Sequence, residues 1–121
     1  DTAEAYNIPF KFIEGDVLKI DIEETDLLFI DTWHRYDQLK SELARHSDKA
    51  KKYICFHDTT TYEHRGEAMS SVGGDKWDEN DLENNKGLWD AVTEFLDENN
   101  DKWELFKRYT NNNGFTIIKR K

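Results

Sequence analysis

Asp26–Asp31, DLLFID, and Tyr53–Asp58, YICFHD, are two short apolar runs, each closed by an acid. A run of this kind suits a strand covered on both faces, as in a parallel sheet. Between them Tyr36, Leu39, Leu43 and Ala44 recur at helical spacing. A strand, a helix and a strand within about thirty residues make a βαβ unit. Its two strands are predicted to be parallel and its crossover right-handed.

Upstream, FKFIE at 10–14 alternates apolar and polar residues, the pattern of a half-buried strand, and Gly15-Asp16 ends it. Asp1 to Asn7 read as the end of a helix. Downstream, residues 58–86 are polar and rich in Gly, Asn, Glu and Asp. A connection this long suits a functional loop or a lid over the strand ends. Leu88, Trp89, Val92, Phe95 and Leu96 form the apolar face of a second helix. Trp103–Tyr109 and Phe115–Lys119 read as strands around Asn111-Asn112-Asn113-Gly114, residue types that tolerate positive φ. The expected fold is α/β, a single domain over residues 1–121, with a mostly parallel sheet and an antiparallel C-terminal hairpin.

Charged residues make up 36% of the chain, as do hydrophobic ones, yet four Trp, five Tyr and seven Phe supply a core that disordered chains lack. The net charge of -9 repels phosphate backbones, which argues against a nucleic-acid partner. The short basic stretches at Lys49–Lys52 and Lys119–Lys121 read as solvated ends. The single cysteine, Cys55, reads as a small buried hydrophobe and fits a reducing compartment. No apolar run approaches the ~20 residues of a membrane span, and no signal peptide is read. A cytoplasmic location is the expectation.

In open α/β sheets ligands bind at the carboxyl ends of parallel strands. Asp31 and Asp58 end strands that flank one crossover and are expected to be neighbours. Two such carboxylates repel unless a proton or a cation lies between them, and a hard divalent cation such as Mg²⁺ accepts a pair of them. Taken alone, Asp31 equally suits a helix cap. His34, three residues on, is placed to reach the same site, and histidine suits a general base. His57, inside the strand, reads as a buried, hydrogen-bonded side chain rather than a ligand. His46 reads as serving a helix end, and His64 and Arg65 as solvated loop residues.

Five segments in this order, FIEGD, TDLLFIDTWHRYDQLKSEL, KYICFHDTTT, GLWDAVTEFL and NNNGFTIIKR, resemble class I S-adenosylmethionine-dependent methyltransferases. Small bacterial and phage-type metal-dependent O-methyltransferases are the most similar in pattern. The likeness covers nearly the whole chain and the C-terminal half of that family's Rossmann-like domain. The family's N-terminal strands, its Gly-rich loop and the acid after its second strand have no counterpart in these residues. The resemblance implies metal binding by Asp31 and Asp58, with Thr59 where catechol-type members often carry Asn. It implies proton abstraction by His34 and contact of Asp16 with the cofactor's adenine. The implied function is methyl transfer from S-adenosylmethionine to a hydroxyl of a sugar or small metabolite, helped by Mg²⁺ or another divalent metal. A non-catalytic remnant or interaction module is the alternative, and a metal-dependent hydrolase ranks below it. Self-association through FKFIE is a further expectation, and no membrane partner is expected.

Overall fold

The computed structural model describes residues 9–66 and 86–121. Its elements are β1 (Thr25–Ile30), α1 (Tyr36–His46), a 3-10 turn (Ser47–Lys49), β2 (Ala50–His57), α2 (Leu88–Glu98), β3 (Trp103–Tyr109) and β4 (Phe115–Arg120). The helix read over Asp1 to Asn7 lies outside the described residues, as do residues 67–85 of the expected lid.

The four strands form one mixed sheet in the order β1-β2-β4-β3. β1 and β2 pair in parallel, joined through α1 as the βαβ reading expects. The other two pairs, β2–β4 and β3–β4, are antiparallel. The sheet is therefore not mostly parallel among the described residues. The hairpin folds back so that its more apolar strand, FTIIKR, takes the inner place beside β2. WELFKRY, with Glu104, Lys107 and Arg108, is left at the edge, where charged side chains discourage further pairing.

The hairpin turn is where its residue types are needed. Asn112, Asn113 and Gly114 all have positive φ, 49°, 71° and 95°. Gly114 has a second reason: a Cβ there would lie 2.4 Å from the Thr60 backbone nitrogen. That close approach seats the turn against the residues that follow β2.

Period-two alternation sorts the strands into two faces. Leu28, Ile30, Ile54, Phe56 and Ile118 face the helices. α1 contributes Leu39 and Leu43, and α2 contributes Leu88, Ala91, Val92 and Phe95. Trp103 seals the base of this core. Ala44, read as part of the apolar stripe of α1, is exposed. It lies five residues after Leu39, about 140° around a helix that turns about 100° per residue. Glu42 and His46 occupy the buried positions instead.

The opposite face carries Leu27, Phe29, Tyr53, Phe115 and Ile117. Leu27 and Phe29 are 52% and 51% exposed, so among the described residues DLLFID is an edge strand with one bare face rather than a strand covered twice. FKFIE is not a strand. Residues 10–14 are irregular, and Phe12 is 78% exposed. Alternation specifies a strand only when a neighbour offers ladder groups, and no described strand pairs with this segment. The chain is caught further on. His46 Nε2 donates to the Val17 carbonyl, and Arg45 donates to those of Lys19 and Ile20. Among the described residues, no helix is long and apolar enough to cross a membrane.

Candidate metal centre

Parallel pairing in register, with Ile30 beside Phe56, brings the carboxyl ends of β1 and β2 together. Asp31 leaves β1 at that point. Asp58 leaves β2 in the left-handed region, φ 63°, which Asp tolerates better than most residues. The conformation breaks the alternation of β2. Asp58 donates its backbone N–H to the Gly114 carbonyl at 3.0 Å, and its carbonyl accepts from Tyr62 N at 3.1 Å. Its side chain then meets His34, with Oδ2 2.8 Å from Nε2. The same Nε2 lies 3.6 Å from Asp31 Oδ1. Asp31, His34 and Asp58 each offer a donor atom, all within 4.8 Å of one another. The three residues paired with this chemistry from sequence are thus brought together.

Several contacts hold His34 in place. Tyr62 stacks on its ring, with centroids 4.5 Å apart and planes 8° from parallel. Tyr62 is fixed in turn by its carbonyl, which accepts from Leu88 N at 2.7 Å. Gly66 lies against the His34 backbone, where a Cβ would stand 2.7 Å from the His34 carbonyl oxygen. Residues 58–66 therefore wrap over the end of the sheet, where the sequence places the start of the lid. Beneath the polar groups lies a small recess with an apolar floor of Ile30, Leu39, Phe56 and Leu88.

Residues 31–35 are anchored to α1. Arg35 is buried, with Nε and one terminal nitrogen on the two oxygens of Asp37, at 3.0 and 3.2 Å, and its guanidinium over the Trp33 ring. Thr32 Oγ1 donates to Glu42 Oε1, which also accepts from Gln38 Nε2 at 2.8 Å. Glu42 is buried, and its Oε2 has no hydrogen-bond partner among the described residues. Desolvation raises its pKa, and the bonds from Thr32 and Gln38, with His46 nearby, only partly offset this.

A carboxyl whose folded pKa is raised gives its full stability below the unfolded value of about 4.3 and loses it as pH rises through the folded value. Glu42→Gln keeps an acceptor for Thr32 and removes the charge. Its stability relative to the parent is expected to improve on going from pH 4 to pH 7. Urea midpoints at the two pH values check this; a variant-minus-parent difference that stays constant or falls with rising pH contradicts it.

The remaining expected site residues lie elsewhere or are otherwise engaged. Thr59 is buried, and its hydroxyl is engaged with Thr116 Oγ1 of β4 at 2.8 Å. Asp16 closes a turn in which its Oδ1 accepts from Leu18 N and its carbonyl from Lys19 N and Ile20 N. That turn is tied to Arg45 and His46, at the far end of α1 from His34. Eleven helical residues span about 16 Å, so Asp16 is not brought to the cluster. His46 is buried and serves this tie as well as the helix end. His64 is exposed, with Nδ1 2.9 Å from Asp90 on α2.

His57 is the residue that the sequence reading set aside. It is only half-buried, and its Nδ1 stands 3.0 Å from Asp58 Oδ2 and 3.9 Å from Asp31 Oδ1. Two carboxylate oxygens and imidazole nitrogen are the donor types that divalent cations take, so the residues present fit such an ion. Compared with protein families, curated proteins and solved structures, the chain has no match.

Proposed function

We propose that this chain carries the metal-binding and acceptor-activating part of a methyltransferase-type site acting on a hydroxyl of a sugar or small metabolite. The observation behind this reading is the convergence of Asp31, His34 and Asp58 at the carboxyl ends of two parallel strands. Asp31 and Asp58 would hold a divalent cation, which when bound supplies a Lewis acid that acidifies an alcohol. His34 takes the hydroxyl proton at Nε2, the nitrogen that faces both carboxylates. Tyr62 keeps the ring in plane, which limits the reorganisation needed at the moment of transfer.

Rossmann-like classification rests on the sequence resemblance together with the β1–α1–β2 crossover. S-adenosylmethionine as donor rests on the resemblance alone. Asp16, the residue matched to its adenine, sits at the other end of α1, so the described residues do not fit the cofactor. An interaction module is a second reading, favoured by the bare apolar face with Leu27 and Phe29.

Labelled S-adenosylmethionine, Mn²⁺ or Mg²⁺ and a panel of sugars and small alcohols separate the two readings. With the family's N-terminal strands and Gly-rich loop supplied, methyl transfer that stops on chelation is the expected result. An absence of transfer with every cation leaves the interaction module.

A further inference from the structure

We propose that His57 is a ligand of the metal, and that its nitrogen makes this site select a transition cation such as Zn²⁺, Co²⁺ or Mn²⁺ over Mg²⁺. The inference rests on the metal-site reading above and adds the identity of the ion to it. Among the described residues, His57 Nδ1 is buried and has no hydrogen-bond partner. The carboxylate oxygen 3.0 Å away is close enough for one but does not lie where a ring N–H would point. A buried ring nitrogen beside two carboxylates, without a bond to either, is a group in want of a partner.

The spacing suits a cation as that partner. Ligands about 2.1 Å from an ion stand about 3 Å apart when adjacent and about 4.2 Å when opposite. His57 Nδ1 lies 3.0 and 3.9 Å from Asp58 Oδ2 and Asp31 Oδ1, both inside that interval. His34 Nε2 faces the same two oxygens. A histidine bound to metal has no lone pair left for a proton. With His57 as the nitrogen ligand, His34 stays available for the acceptor hydroxyl.

Imidazole suits Zn²⁺, Co²⁺ and related ions, whereas Mg²⁺ prefers oxygen and keeps its waters. Titration of the protein with Zn²⁺, Co²⁺, Mn²⁺ and Mg²⁺ is expected to show the transition ions binding at least ~100-fold more tightly than Mg²⁺. His57→Gln is expected to cut Co²⁺ affinity by more than ~100-fold and Mg²⁺ affinity much less. With Mn²⁺ bound, pulsed electron paramagnetic resonance is expected to show a directly coordinated histidine nitrogen that disappears in His57→Gln and persists in His34→Gln. His57→Glu is expected to shift preference toward Mg²⁺, a gain that a damaged fold does not produce. A coordinated nitrogen that survives in His57→Gln, or equal affinity for Mg²⁺ and Co²⁺ in the parent, overturns the proposal and leaves the Asp31–Asp58 site standing. No binding of any cation overturns that site as well.

Discussion

With the family's N-terminal strands and Gly-rich loop supplied, His34→Ala is expected to lower the rate of hydroxyl methylation by about 10²–10⁴-fold, the usual contribution of a positioned general base. The geometry confines the loss to the chemical step. His34 Nε2 is aimed at the space between the two carboxylates, whereas Asp31, Asp58 and His57 remain to hold the cation. Metal affinity is therefore expected to change by less than ~5-fold, well short of the effect of losing a coordinating group. The acidic limb of the rate–pH profile, which reports protonation of the base, should vanish with the ring, and added imidazole should restore part of the rate. A residual rate above ~30% of the parent, or an unchanged acidic limb, assigns the proton to another group. Tyr62 gives an internal comparison, because Tyr62→Phe keeps the aromatic ring that stacks on His34 and should retain most of the rate.

How much of this could be read from the chain depends on the range of each signal. α1, α2 and the hairpin were legible because helical spacing and an Asn-Asn-Asn-Gly turn act over a few residues. The approach of Asp31 and Asp58 was legible because one crossover leaves parallel strands few ways to pair. FKFIE was misread because its alternation carries no information about whether a neighbouring strand exists. The mixed sheet was missed for a related reason: which hairpin strand lies inside depends on comparing FTIIKR with WELFKRY across the whole sheet. His57 was set aside because it lies inside a strand read as covered on both faces. The positive φ of Asp58 breaks the alternation of β2 and brings residues 57 and 58 to one site. An Asp just past a strand, followed by Thr-Thr-Thr, was the available cue, since Asp is among the few residues that enter this conformation readily. Glu42 shows the opposite limit. Its burial depends on Thr32 and Gln38 meeting one carboxylate oxygen, and no periodicity encodes that.

Asp58→Asn should separate the two tasks that this residue performs. Asn enters the left-handed region as readily as Asp, and the backbone bonds to Gly114 and Tyr62 do not involve the side chain. The metal-free fold is therefore expected to survive. It is expected to melt at or slightly above the parent's temperature, because donor oxygens of Asp31 and Asp58 lie within 4.8 Å and like charges at that range repel. Cation binding answers differently. Loss of one of two carboxylates should weaken it by more than ~100-fold, beyond the 10–100-fold typical of changes to supporting groups. The parent, at a metal concentration 100 times its dissociation constant, gains about 2.7 kcal/mol of stability by linkage, and the variant gains almost none. Asp58→Ala should lose the same binding and also melt lower without metal, since alanine in the left-handed region costs about 1–2 kcal/mol. Melting curves of the three proteins with and without cation decide the matter. An Asn variant that is stabilised by metal as strongly as the parent places the cation elsewhere. An Asn variant that melts well below the parent without metal means that the Asp58 carboxylate is needed by the fold itself, through its contacts with His34 and His57.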